Sequence, residues 1–98
     1  MPEVLGEAEV VAAIEGEGLG WQLEGGQLSK VVRRRDFAGA LALVNAIGVV
    51  AEAADHHPDI DIRWNTVTLH LSTHSAGGIT QKDVDLAAAI DRLGATED

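Results

Sequence analysis

The chain contains no cysteine. Disulfide bonds, Cys-ligated zinc and thiol nucleophiles are therefore excluded. Aromatic residues are also scarce, since only Trp21, Phe37 and Trp64 are present, and the core must be built mainly from Leu, Ile, Val and Ala. At 98 residues, the sequence predicts one domain with a modest core over residues 1–98.

Basic residues are few relative to acidic ones. Seven Lys and Arg residues stand against sixteen Asp and Glu residues, and the net charge is −9. Such a chain is repelled by phosphate backbones and anionic lipid surfaces, so we expect no direct binding to nucleic acid and none to a membrane. The single basic cluster, Arg33–Arg35, is followed by Asp36 and is predicted to be a solvated strand end.

No segment of the sequence is predicted to cross a bilayer. The most apolar stretch, residues 38–54, is interrupted by Asn45 and Glu52 and is shorter than the ~20 apolar residues that a spanning helix needs. The N-terminus lacks the basic, apolar and small-residue succession of a signal peptide. We therefore expect a soluble, cytoplasmic protein.

Three segments have the periodicity of helices. The first covers residues 7–15 and is ended by the glycines at 16, 18 and 20. The second is predicted to begin after the N-cap Asp36 and to end near Ala54. Thr80 and Asp83 open the last helix at the spacing of a capping box, and Gly94 ends it. The predicted core face of the second helix consists of Phe37, Leu41, Val44, Ile47 and Ala51. That of the last consists of Val84, Ala87, Ile90 and Leu93.

Four shorter segments are predicted to be strands: 21–24, 28–35, 59–64 and 66–73. The first and the last two alternate apolar and polar residues. Gly25–Gly26 joins the first two as a hairpin, because both turn positions can take a positive φ. Asn65 makes the turn between the last two. Two hairpins joined by a helix predict one four-stranded antiparallel sheet with helices packed on one face, an α+β fold in the order α-β-β-α-β-β-α.

Three of the four histidines lie just after the predicted end of a helix or a strand. His56 and His57 follow the second helix, and His74 follows the last strand. A two-layer fold can bring such ends together at one rim of the sheet. Imidazole exchanges protons near neutral pH, since its unperturbed pKa is ~6.5. Three imidazoles around one pocket would therefore suit acid–base chemistry, whereas His70 lies on the polar face of its strand and receives no catalytic role.

The spacing of these histidines leaves other interpretations open. Adjacent histidines after a helix are often polar loop residues, and His74 could cap the sheet edge. Three histidines could also bind a metal ion, but adjacent side chains point in divergent directions, and the spacing differs from the helical His-x-x-x-His arrangement. We therefore favour metal-free proton transfer over a metal site.

Two carboxylates could support the histidines. Glu52 lies one helical turn before His56 and could orient an imidazole or stabilise its cation. Asp83 could cap the last helix, hold an imidazole or substrate N–H, or do both. Gly77–Gly78 is interpreted as a flexible turn, because it lacks the lysine and the glycine spacing of a phosphate-binding loop.

Five short motifs occur in order along the chain. They are Ala51-Glu52-Ala53-Ala54-Asp55-His56-His57-Pro58-Asp59-Ile60, Trp64-Asn65-Thr66-Val67, Ser72-Thr73-His74, Gly77-Gly78-Ile79-Thr80, and Asp83 with Leu86-Ala87. The set resembles the signature of pterin-4a-carbinolamine dehydratases from about Glu7 to Leu93. The resemblance implies a four-stranded antiparallel sheet with helices on one side. It also implies dehydration of 4a-hydroxytetrahydropterin to quinonoid dihydropterin, which recycles a hydroxylase cofactor, with no metal or organic cofactor in the dehydratase itself.

The resemblance also implies a role for each site residue. His56 and His74 match general-acid histidines, each acting on one face of the pterin ring, and His57 matches the histidine that binds and positions the pterin. Glu52 and Asp83 match acidic residues that support the site. The family forms dimers or tetramers, so a homodimer or homotetramer is expected.

Two other functions are alternatives to the dehydratase activity. Dehydratase-like domains also act as Rubisco assembly chaperones or as dimerisation partners of transcription factors, so the first rival is a non-catalytic binding or assembly protein. The second is a small metal-dependent enzyme. The intact set of His56, His57 and His74 favours a catalytic site over a degenerate one.

Overall fold

The computed structural model describes residues 3–16 and 20–93. Gly18 and Gly94, both predicted to end helices, lie outside these residues. The order of the elements confirms the predicted α-β-β-α-β-β-α arrangement. The elements are α1 (Glu7–Gly16), β1 (Gln22–Glu24), β2 (Gln27–Arg33), α2 (Phe37–Ala54), β3 (Asp59–Arg63), β4 (Thr66–Leu71) and α3 (Gln81–Leu93).

The four strands form one antiparallel sheet in the order β1-β2-β4-β3. Gly25 and Gly26 both take positive φ, 58° and 77°, in the first hairpin turn, as predicted. In the second turn Trp64 takes the left-handed conformation with φ 53°, and its side chain is exposed instead of continuing the apolar face of β3. Pairing of β2 with β4 places Leu28 opposite Leu71 and joins the two hairpins into one sheet.

One face of the sheet is covered, and the other is polar along β3 and β4. On β4, Val67, Leu69 and Leu71 are fully buried, while Thr68 and His70 between them are half-buried. This alternation is typical of an antiparallel sheet whose apolar face packs on helices. The buried residues from the helices that join the same core are Val10, Ile14, Ala40, Leu43, Ile47, Ala51, Leu86, Ala87 and Ile90.

The core face of α2 differs from the prediction. Ile47 and Ala51 are buried as expected, but Phe37 and Leu41 are 48% and 40% exposed, and Ala40 and Leu43 take their places in the core. The helix is apolar on most of its circumference, so its periodicity is consistent with more than one buried stripe. The N-cap prediction is confirmed, because the Asp36 side chain accepts a hydrogen bond of 2.8 Å from the backbone N–H of Gly39.

By length and composition alone, α2 meets the requirements for a membrane span, contrary to the expectation from its sequence. It is the one helix in the described part of the chain that does so, with a mean hydropathy of 1.8 over 18 residues. The core helix of a globular protein meets the same requirements, and α2 packs on the sheet through Ala40, Leu43, Ile47 and Ala51.

Arg34 departs from the predicted solvated basic cluster. Its side chain is buried, whereas Arg33 and Arg35 are exposed. The Arg34 backbone N–H donates to the carbonyl oxygen of Asn65 at 2.8 Å, and Nδ2 of Asn65 donates back to the Arg34 carbonyl at 2.9 Å. The turn of the second hairpin therefore packs on the end of β2.

Candidate active site

The sheet topology brings the three predicted histidines to one place. Because β3 and β4 are antiparallel, the start of β3 lies beside the end of β4, and Asp59 pairs with His70. The segment before β3 carries His56 and His57, and the segment after β4 carries His74. All three histidines line a single cleft of about 300 Å³.

The C-terminal end of α2 sets the direction of the histidine pair. Asp55 takes the left-handed conformation with φ 52° and ψ 42°, which ends the helix. Asp is one of the few non-glycine residues that tolerate this region. The backbone N–H of His56 then donates to the Ala51 carbonyl at 3.1 Å, and Pro58 favours an extended backbone at His57. The His56 side chain is 11% exposed and that of His57 is 55% exposed.

His74 lies in a tight turn between β4 and α3. The Thr73 N–H donates to the Gly78 carbonyl at 2.8 Å, and the Gly77 N–H donates to the Thr73 carbonyl at 3.0 Å. Gly77 takes a φ of +79°, which explains the need for glycine there. The predicted loop is thus a hydrogen-bonded turn that presents the exposed side chain of His74 to the cleft.

Asp83 is fully buried and joins the helix cap to the histidine. Its Oδ2 accepts from the Thr73 hydroxyl at 2.7 Å and from the Thr80 N–H at 2.9 Å, and the second bond is the Asp83 half of the predicted capping box. The Thr80 hydroxyl accepts instead from the backbone N–H of Lys82 at 3.3 Å. Its Oδ1 contacts Nε2 of His56 at 2.6 Å. A carboxylate only accepts hydrogen bonds, so Nε2 of His56 is the donor in this contact and Nδ1 is the ring nitrogen that Asp83 does not engage. The cap and the histidine contact are both present in the structure.

Glu52 contacts His57 and not His56. Its Oε1 lies 2.5 Å from Nε2 of His57, and both side chains are mostly exposed. The left-handed turn at Asp55 separates the two histidines, so that His56 meets α3 while His57 stays on the outside of α2. Each of these histidines therefore has its own carboxylate.

Several residues of the cleft could not be singled out from the sequence. Asp55 and Asp59 carry carboxylates, Lys82 supplies an ammonium group, and Ser72, Thr73 and Ser75 supply hydroxyls. The alternation along β4 places Ser72 on the same face as His70. This was the only sequence pattern that could have indicated one of these additional cleft residues. Within residues 3–16 and 20–93, no three His, Asp or Glu side chains are grouped so that they could hold one metal ion.

Comparison with known proteins identifies the family. Residues 3–93 match the sequence profile described as pterin 4 alpha carbinolamine dehydratase. The chain belongs to this family. A relative from Nocardia farcinica is 47% identical over 91 residues, covering 93% of this chain and 95% of the relative. One from Roseiflexus castenholzii is 48% identical over 93 residues, covering 95% and 99%. Both are provisionally named pterin-4-alpha-carbinolamine dehydratases.

Two solved structures have the same fold as this family member. The transcriptional coactivator/pterin dehydratase from Brucella melitensis is 29% identical, with a TM-score of 0.85, and covers 93% of this chain and 98% of its own. A pterin dehydratase-like protein identified as a RuBisCO assembly factor in the alpha-carboxysome is 22% identical, with a TM-score of 0.63 and coverage of 79% and 89%. At that identity the likeness shows the fold alone.

Proposed function

We propose that this protein dehydrates 4a-hydroxytetrahydropterin, in its tetrahydrobiopterin form, to the quinonoid dihydropterin by histidine acid–base catalysis. The supporting observation is that His56, His57 and His74 line one cleft in a chain that belongs to the pterin carbinolamine dehydratase family. We further propose a single cytoplasmic domain over residues 1–98, which needs no cofactor and forms a homodimer or homotetramer.

The reaction breaks one C–O bond and removes one N–H proton. A protonated imidazole donates to the 4a-hydroxyl, and the C4a–O bond breaks as water leaves with its electron pair. The lone pair of N5 forms the C4a=N5 double bond, and a neutral imidazole or solvent accepts the N5 proton. The protons balance over one turnover, and general acid–base catalysis of this kind typically contributes ~10²–10⁴-fold.

His56 and His74 are the proposed acids for the two faces of the ring. Asp83 fixes the orientation of His56 through the 2.6 Å contact with Nε2, and Asp83 is itself held by Thr73 and Thr80. His56 would therefore deliver its proton from Nδ1. His74, across the same cleft on its own turn, would act on the other face.

His57 is proposed to bind and position the pterin. Its ring is more than half exposed and is held by Glu52 at 2.5 Å, so it lies at the rim of the cleft next to solvent. A planar ring held by one nitrogen can pack against a flat heterocycle. Glu52 and Asp83 then act as positioning residues, each through the histidine that it contacts.

A stopped-flow dehydration assay with synthetic 4a-hydroxytetrahydropterin tests the proposal. The purified protein is expected to accelerate water loss, and His56→Ala combined with His74→Ala is expected to remove most of the acceleration. A matched control is His70→Ala, because His70 lies on β4 and is not among the residues that line the cleft. If the protein is well folded but does not accelerate dehydration, the alternative of a non-catalytic binding or assembly protein is favoured. If the purified protein contains metal in stoichiometric amount, a metal-dependent enzyme is favoured.

A further inference from the structure

A second, smaller groove lies where α2 meets α3. It has a volume of about 170 Å³. Its apolar walls are Val50 and Ala54 from α2 and Leu86 and Ala89 from α3. The two alanines carry the smallest side chains of these four, and a larger residue at either position would reduce the space.

The groove borders the cleft of the three histidines. His56 and Lys82 line both spaces. The groove therefore adjoins the residue proposed to protonate the leaving hydroxyl.

The chemistry of the groove differs from that of the cleft. The cleft is lined by carboxylates, hydroxyls and imidazoles, whereas the groove is mainly aliphatic with one ammonium group, Lys82, and one carboxylate, Asp85. Oδ1 of Asp85 accepts from Nε2 of Gln81 at 2.9 Å, which holds the carboxylate in place. Such a groove fits a short carbon chain with hydroxyl groups, because the ammonium donates to a hydroxyl oxygen and the carboxylate accepts its proton.

The connectivity of a pterin places such a chain near His56. The carbon that loses the hydroxyl, C4a, is bonded to N5, and N5 is bonded to C6. A substituent on C6 therefore begins close to the reacting carbon. With the ring in the cleft and C4a beside His56, that substituent begins near a side chain that lines both the cleft and the groove.

We propose that this groove is the subsite for the C6 substituent of the pterin, and that Ala54 and Ala89 determine the size of the substituent that is accepted. The inference rests on the proposed function, since it assigns the groove to part of the same substrate. It predicts a preference for a hydroxylated three-carbon chain over a methyl group at C6.

Ala54→Leu tests this assignment, with Ala53→Leu as the matched control. Both alanines are exposed in the last turn of α2, but only Ala54 lines the groove. Steady-state constants are measured with two 4a-hydroxytetrahydropterins, one carrying a 1,2-dihydroxypropyl group at C6 and one carrying a methyl group. Ala54→Leu is expected to raise KM about tenfold for the longer substrate while changing the methyl substrate less than about twofold. Ala53→Leu is expected to change neither.

Equal effects of Ala54→Leu on both substrates, or no effect on either, would overturn the subsite. If circular dichroism shows that Ala54→Leu is unfolded, Ala89→Leu fills the groove from the opposite wall and is judged in the same way. If the unaltered protein dehydrates neither substrate, the proposed function fails. The groove is then tested by the Kd of dihydropterins with the same two C6 groups, where a selective loss in Ala54→Leu supports the subsite and its absence refutes it.

Discussion

At the scale of single residues, Asp83 links stability to the proposed chemistry. It is fully buried and accepts hydrogen bonds from the Thr73 hydroxyl, the Thr80 N–H and Nε2 of His56. Thr73 donates its one hydroxyl proton to Asp83, so Thr80 is the donor in the 2.8 Å bond between the two hydroxyls. The side chain of Asp83 thus orders the start of α3, the end of β4 and one imidazole together.

Asp83→Ala should destabilise the fold and slow dehydration. Three donors lose their acceptor, and leaving buried donors unsatisfied is expected to lower the free energy of unfolding by about 2–3 kcal/mol. Urea denaturation measures this change. For the denaturation measurement, Asp85→Ala is the control from the same helix, because Asp85 is exposed and makes one bond to Gln81. Similar losses in the two variants would show that the buried network contributes little.

The residues of the site were only partly predictable. The three histidines could be proposed because each follows the end of a helix or strand, and the capping box of Thr80 and Asp83 is visible in the sequence. The pairing of Glu52 with His57 depends on the left-handed turn at Asp55, which no local pattern required. The contact of Thr73 with Asp83 depends on the turn at 74–78, so it arises only in the folded chain.

At the scale of elements, the sequence predicts whether a segment forms a helix or a strand better than it predicts which face of that element is buried. On α2 the expected stripe contained Phe37 and Leu41, but the helix is rotated so that Ala40 and Leu43 pack on the sheet. Both the predicted and the observed stripe consist of apolar residues, so the sequence pattern is compatible with either orientation of the helix. Packing against the sheet determines which stripe is buried. On β4 strict alternation left one possible orientation, and the expected residues are buried.

The N-cap of α2 offers a test at this scale. Asp36 accepts from the Gly39 N–H at 2.8 Å, so Asp36→Ala should lower the free energy of unfolding by about 1 kcal/mol. Asp36→Asn is the control, since an asparagine oxygen can accept the same bond and should retain most of the stability. Thermal and urea denaturation both measure the difference. An Asn variant as unstable as the Ala variant would show that the cap is not the cause.

At the scale of the whole molecule, the fold leaves large apolar side chains exposed on α2. Phe37, Leu41 and Val49 are 48%, 40% and 73% exposed, and the first two are one turn apart. Exposed apolar side chains that lie together are typical of surfaces that contact another protein. They are consistent with the homodimer or homotetramer proposed above, which stays a prediction.

Leu41→Asp should therefore lower the molecular mass of the oligomer in solution, because a carboxylate at this position opposes burial in an interface between subunits. Sedimentation velocity of the unaltered chain and the variant measures the mass. Ala53→Asp, an exposed position in the last turn of the same helix, is the control and should leave the mass unchanged. An unaltered chain that sediments as a monomer would contradict the prediction, and so would a Leu41→Asp variant of unchanged mass.

The whole fold also explains why residues distant in sequence share one site. Antiparallel pairing of β3 and β4 places the segment before Asp59 beside the segment after Leu71, and the capped start of α3 adds Asp83. The hairpins and helices were predictable one by one. The pairing of β2 with β4, which completes the sheet, requires the two hairpins to meet and could be expected only from the fold class.

The central claim is that His56 and His74 donate protons to opposite faces of the pterin ring. It is tested most directly by stopped-flow dehydration of the two C4a epimers of 4a-hydroxytetrahydropterin, each with His56→Ala and with His74→Ala. We expect each variant to slow one epimer by ~10²–10⁴-fold while the other epimer keeps most of its rate, and the affected epimer should differ between the two variants. Unchanged rates for both epimers in both variants would contradict the claim.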